Sequence, residues 1–148
     1  DSLQALVLGM KLTKLEEWTL QRQSNAQTYM SLLSDVPEVT LPKIVPGTEP
    51  VFHHFVVRVE CRDELRAFLL DRGVETGIHY PIALPDQPAF RTWAEPRLTP
   101  NACQWARQLL SLPVGEHLSS DDVHFVADCV RQFANDLPSR SKTIGRRH

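Results

Sequence analysis

The sequence predicts a mixed α/β domain of the α+β kind, in which a small, mainly antiparallel sheet of about three strands is covered on one face by helices. Two observations carry this reading. Residues 51–60 alternate in polarity like a strand, residues 62–72 repeat like a helix, and residues 74–78 form a second extended run. A strand, helix, strand succession of this kind calls for a sheet with helical cover. The second observation is a strongly amphipathic segment near the end, Val123, Val126, Val130 and Phe133, behind a capping Ser119 or Ser120. With 148 residues, 42% hydrophobic and 23% charged, the chain can bury one ordinary core, and one domain is the expectation.

Residues 1–33 read as one long helix starting at Asp1 or Ser2. Its first third, with Leu3, Ala5, Leu6, Val7, Leu8, Met10 and Leu12, is apolar nearly all round. Such a surface costs too much in water, so that end needs a partner. The later part narrows to one stripe, Leu15, Trp18, Arg22, Ala26, Tyr29 and Leu33, which Arg22 interrupts. Arg22 is either a snorkelling side chain at a core margin or an anchor for a carboxylate or phosphate.

Pro37, Pro42, Pro46, Gly47 and Pro50 leave room only for a short extended piece in residues 39–44. In the strand over 51–60, Val51, His53, Phe55, Val57 and Val59 share one face, and Phe52, His54, Val56 and Arg58 the other. His53 and His54 therefore point apart and cannot hold one metal. The helix over 62–72 carries Asp63 and Glu64 in its first turn and turns Leu65, Phe68 and Leu69 inward. Gly73 ends it, and the second strand runs out into Gly77, His79, Tyr80 and Pro81, a polar pair held between glycine and prolines. Pro81, Pro85 and Pro88 make the next stretch a loop anchored by Phe90 and Trp93. A helix over 101–110 and a third strand over 111–114 follow.

Cys61, Cys103 and Cys129 include no C-x-x-C pair, so they read as reduced and buried rather than as a disulfide or zinc framework. The net charge is -2, and Arg140, Lys142, Arg146 and Arg147 sit in residues 138–148 without an acid, so the rest carries -2 minus +4, or -6. An acidic body disfavours nucleic acid, and no run is long enough for a membrane span. The default location is cytoplasmic. No P-loop, G-x-G-x-x-G or H-E-x-x-H occurs, and His117 and His124 are joined by no carboxylate cluster.

Several blocks in order nevertheless resemble a family. These are DSLQALVLGMKL (1–12), then Trp18, Arg22, Ala26 and Tyr29, VFHHFVVRV (51–59), RDEL (62–65), GVETGIHYP (73–81), QPAF (87–90) and LSLP (110–113). Together they are similar to the C-terminal third of the DegT/DnrJ/EryC1/StrS sugar aminotransferases. The resemblance implies the small domain of a fold-type I enzyme that uses pyridoxal phosphate to move an amino group from glutamate to a nucleotide-linked keto sugar. It implies three parts: an interdomain linker helix (1–33), the small domain (34–137) and a basic, disordered tail (138–148).

By the same resemblance, the Schiff-base lysine and the other cofactor contacts belong to sequence preceding Asp1. Lys11, Lys14, Lys43 and Lys142 lack the family's lysine context, so no cofactor is expected in this chain alone, and no transamination. His79, Tyr80, His53 and Arg22 are the candidate substrate-binding residues; no catalytic or metal-binding residue is assigned. Ala83 and Pro85 stand where the family often has proline and histidine, and Leu6 where it has a small residue. A second copy or a missing cofactor domain is expected to pack on Leu3, Leu6, Val7 and Met10. The alternative is a stand-alone, non-enzymatic binding or oligomerisation module, and a contiguous apolar patch at these four residues would demand a partner chain.

Overall fold

The structure, a computed structural model, describes the backbone of residues 1–90, 92 and 98–144, and the side chains of those up to 137. In chain order it comprises α1 (Ser2–Leu12), α2 (Leu15–Leu32), β1 (Phe55–Arg58), α3 (Arg62–Leu70), α4 (Pro100–Trp105), β2 (Leu109–Leu112) and α5 (Ser120–Ile144), with two single 3-10 turns at Leu84–Asp86 and Pro88–Phe90. The anchor expected at Trp93 and the tail residues 145–148 lie outside the described residues.

The expected single N-terminal helix is two. The Asp1 carboxylate caps α1 by accepting from the Leu3 N–H at 2.8 Å. At the other end the Thr13 hydroxyl donates to the Met10 carbonyl at 2.8 Å, and the Lys14 N–H turns back to the Lys11 carbonyl at 3.0 Å. The helical path breaks at Thr13 and Lys14, where this hydroxyl bond and the turned-back N–H replace the regular ladder. Nothing on α1 is buried. Leu3, Leu6, Val7 and Met10 are 69%, 63%, 45% and 68% exposed, so the face expected to need a partner lies bare in this chain.

β1 and β2 pair antiparallel, Phe55 opposite Leu112 and Val57 opposite Leu110. These four side chains face the helices and are buried with Tyr29 and Leu33 of the α2 end, Leu65 and Leu69 of α3, and Val123, Val130 and Phe133 of α5. Each large apolar side chain so enclosed stabilises the fold by roughly 1.5–3 kcal/mol. The sheet differs from the three strands expected. Among the described residues it has two, flanked on either side by a one-residue bridge, Thr40 with Arg58 and Gly77 with Ser111. Residues 74–78 thus pair through Gly77 alone.

Three boundaries also shift. Residues 51–54 are not strand, because Phe52 takes a positive φ of 49° and breaks the alternation. Phe52 tucks its ring 6.0 Å from Phe55, whereas His53 is exposed rather than on the apolar face. Leu109 and Leu110 belong to β2 and not to the preceding helix, since α4 stops at Trp105. The buried Arg62 holds this junction, its guanidinium donating to the carbonyls of Ala106 at 3.4 Å and Leu109 at 3.2 Å. Phe90, expected as an anchor, is 41% exposed, and of the three free cysteines only Cys129 is fully buried. The helix α5 continues past Phe133 through 138–144, part of the segment read as tail.

One interaction between α2 and the segment leaving β2 positions everything that follows. Arg22, Asn25 and Tyr29, spaced to share a helix face, meet successive groups of that segment running the other way. The Tyr29 hydroxyl donates to the Pro113 carbonyl at 2.9 Å, the Asn25 amide to the Gly115 carbonyl at 3.1 Å, and the Arg22 guanidinium to the Glu116 carboxylate at 2.6 Å. The polar interruption in the apolar stripe is the outer end of this zipper.

Candidate functional site

The outer end of the zipper opens on a cluster of imidazoles. Arg22 also donates to the His53 carbonyl at 3.4 Å, and Gln23 to the Pro50 carbonyl at 3.2 Å, so α2 fixes the irregular segment before β1. That segment brings the His53 and His54 rings to 4.2 Å between centroids, and His54 stacks on His79 at 4.0 Å. The expectation that His53 and His54 point to opposite faces is therefore corrected; it held only for a regular strand. His79 is held in turn by β2, its Nδ1 2.9 Å from the Ser111 hydroxyl. A Cβ at Gly77 would meet the His79 imidazole, so the ring keeps this place only beside a glycine or after shifting. Tyr80 follows with its ring 5.9 Å from that of His79, edge-on, and is 73% exposed.

Arg22, His53, His79 and Tyr80, the four residues singled out in the sequence, thus lie along one connected cluster. Three members escaped sequence reasoning as site residues. His54 was set apart by the strand assignment, and Glu116 lies 94 residues from its partner Arg22 with no local signal. Ser111 had one: it is the single polar side chain in the strand segment LLSL. Beside the cluster a pocket of about 250 Å³ is lined by Leu15, Trp18, Arg22, Val51, His53 and Glu116 among others.

The electrostatics favour a neutral imidazole at the centre. Though exposed, His54 is held below the ordinary histidine pKa by desolvation from the atoms around it, helped by the neighbouring His79, His53 and Arg22 charges. Glu116 is held below the usual carboxylate range by its own backbone N–H and by the Arg22 guanidinium. The cluster can therefore present imidazole nitrogens, a phenol and a paired guanidinium to hydroxyl or phosphate oxygens. Among the described residues no group of three or more histidines, cysteines and acids is placed to hold a metal ion, and no helix is long and apolar enough to cross a membrane.

Three of the lysines, Lys11, Lys14 and Lys43, have described side chains. Lys14 is spent in an exposed ion pair with Glu17 at 2.9 Å, Lys11 lies in the last turn of the bare α1, and Lys43 lines a groove at the other end of the sheet.

Comparison with known proteins places these residues in a wider frame. The sequence profile of the DegT/DnrJ/EryC1/StrS aminotransferase family matches residues 1–131. The dTDP-3-amino-3,4,6-trideoxy-alpha-D-glucose transaminase of Streptomyces venezuelae is 43% identical over 135 residues, covering 90% of this chain and 36% of that protein. The erythromycin biosynthesis sensory transduction protein EryC1 of Saccharopolyspora erythraea is 43% identical over 122 residues, 82% of this chain and 33% of its own length. Among solved structures, S. venezuelae DesV in complex with a ketimine intermediate superposes with a TM-score of 0.87 at 43% identity, over 90% of this chain and 36% of that one. A DegT DnrJ EryC1 StrS aminotransferase from Brucella abortus gives 0.84 at 30% identity, again over 90% and 36%. The chain spans about a third of the length of the relatives it matches.

Proposed function

The chain belongs to the DegT/DnrJ/EryC1/StrS aminotransferase family, and from that premise we propose that it is the small C-terminal domain of a nucleotide-sugar aminotransferase. In this reading α1 and α2 form the connection to a cofactor domain, residues 34–137 form the small domain, and residues 138–148, into which α5 continues as far as Ile144, follow it. The complete enzyme moves an amino group from glutamate to a keto sugar by way of pyridoxal phosphate, which is held by the cofactor domain. This chain supplies the substrate side: His79, Tyr80, His53 and Arg22 offer hydrogen bonds to the nucleotide sugar. The observation that carries the reading is the coincidence of two features in one third of an aminotransferase. One is a polar cluster without a lysine of its own; the other is a helix whose whole apolar face, Leu3, Leu6, Val7 and Met10, is bare.

The test is complementation. The first two thirds of the S. venezuelae transaminase, produced without its own matching segment, is joined to this chain and assayed for amino exchange between dTDP-3-amino-3,4,6-trideoxy-alpha-D-glucose and 2-oxoglutarate. Activity is expected from the joined protein and from neither part alone. Replacing His79 by Ala and Tyr80 by Phe should raise the KM for the dTDP sugar by about tenfold, the loss of one or two hydrogen bonds. A folded, cofactor-loaded chimera without activity overturns the reading. So does an isolated chain that itself takes up pyridoxal phosphate and transaminates.

A further inference from the structure

We propose that Ser111 is a positioning residue for His79: its hydroxyl donates to Nδ1 and holds the ring proton on Nε2, so that this imidazole donates a hydrogen bond to an oxygen of its ligand. The assignment deepens the proposed substrate role of His79 and rests on it for the identity of that oxygen. The backbone sets the approach. Gly77 and Ser111 exchange N–H···O=C bonds of 3.0 and 2.8 Å, which lays the two residues side by side. Two residues on, the His79 ring returns over Gly77 into the space that a Cβ there would take, and its Nδ1 comes to 2.9 Å from the Ser111 hydroxyl. His54 stacks on the same ring, 4.0 Å between centroids with the planes 20° apart. The ring is thus held at one nitrogen and on one face. Its Nε2 meets no hydrogen-bond partner among the described residues, and His79 is exposed.

Which nitrogen carries the proton follows from a count of donors. A neutral imidazole has one N–H and one lone pair, whereas a serine hydroxyl has one hydrogen and two lone pairs. Ser111 is 6% exposed, and its hydroxyl has no second partner among the described residues. A proton on Nδ1 would point at the hydroxyl oxygen and leave the hydroxyl hydrogen buried without an acceptor, which is unfavourable. A lone pair on Nδ1 satisfies that hydrogen and sends the ring proton to Nε2, the nitrogen that a ligand can reach. His124 shows the opposite arrangement. Its Nδ1 lies 2.8 Å from the Ser120 carbonyl oxygen, which can only accept, so there Nδ1 bears the proton. An Nε2–H on His79 recognises the lone pair of a hydroxyl, keto or phosphoryl oxygen. It cannot take up a proton at that atom, so His79 orients the substrate and is not a general base.

Long-range nitrogen–proton NMR of the imidazoles reads the tautomer in this chain alone, at a pH about two units above the ordinary histidine pKa of about 6.5. A nitrogen that bears the proton and one that bears the lone pair resonate far apart. For His79 the lone-pair signal is expected at Nδ1 and the N–H signal at Nε2. In Ser111→Ala the two signals should draw together as the proton exchanges between the nitrogens, and Ser111→Thr, which keeps a hydroxyl, should restore the separation; circular dichroism confirms that each variant is folded. In the joined protein described above, Ser111→Ala should raise the KM for the dTDP sugar by about threefold or more with kcat within about twofold, and Ser111→Thr should recover it. Three results would each overturn the proposal: a His79 proton on Nδ1 in the unaltered chain, an unchanged nitrogen pattern in folded Ser111→Ala, or a KM indifferent to that substitution. An inactive joined protein with the expected His79 pattern sinks the amino-transfer reading and leaves the tautomer assignment standing.

Discussion

The helices α1 and α5 are both rich in apolar residues, but they meet opposite fates. On α5, Val123, Val126, Val130 and Phe133 form one stripe that is at most 4% exposed, with Asp121 and Asp122 in the first turn and Ser119 exchanging capping bonds with Asp122. On α1 the apolar residues surround the axis, and none is buried. An amphipathic helix carries its own instructions, one face for the core and one for water. A helix apolar all round reports surroundings that a single core cannot provide. The contrast separates what this chain does by itself from what it does as part of something larger.

The widest gap between the two helices should appear in stability. Phe133→Ala opens a cavity where Phe68 and Phe133 meet edge to face and should cost about 3–5 kcal/mol in denaturant unfolding. Leu6→Ala on α1 should cost less than about 0.5 kcal/mol in the same experiment. It should instead reduce self-association or capture by a cofactor domain, read by sedimentation. Equal destabilisation by the two substitutions would break the comparison.

A smaller effect sharpens it on the polar side. Asn25, 3% exposed, joins α2 to the Gly115 carbonyl and accepts from Gln21 at 3.0 Å. Asn25→Ala strands a buried carbonyl and should cost about 1–3 kcal/mol. It should also loosen the adjoining Arg22 to Glu116 pair, seen as a rise of the Glu116 pKa by NMR.

The smallest effect is a pH dependence. His54 titrates below its unfolded value of about 6.5, so in acid the unfolded chain takes up this proton before the folded one does. The stability His54 provides is thus present above that value and is lost as the pH falls through the folded pKa. Asp35, held low by its hydrogen bond to Arg131, follows the same sign in the carboxylate range. His54→Gln should flatten the slope of stability against pH just below neutrality and leave the more acidic slope in place. An unchanged slope near neutrality would show that the imidazole stack does not govern it.

Much of the fold was legible because local pattern and final environment agree. Leu65, Phe68 and Leu69 on α3, the α5 stripe, and the inward Phe55, Val57 and Val59 fall where their spacing puts them. The failures cluster where one residue departs from the pattern. Phe52 at positive φ brought two histidines expected on opposite faces to neighbouring, tilted rings, and a helix whose periodicity ran on broke at Thr13 and Lys14. The candidate site was half legible. His79 and Tyr80 stood out between glycine and prolines, whereas Glu116 and His54 entered through contacts that no local spacing announces.

By itself the sequence determined which segments are helical, which faces are apolar, and which family the chain resembles, since these follow from periodicity and from motifs read along the chain. Only the tertiary structure decided that Arg22 meets Glu116, that His54 stacks on His79, and that Arg58 rests on an indole. The Arg22–Glu116, His54–His79 and Arg58–Trp105 contacts join residues tens of positions apart. Their geometry is set by how the helices close on the two strands, and no residue's neighbours in sequence encode it.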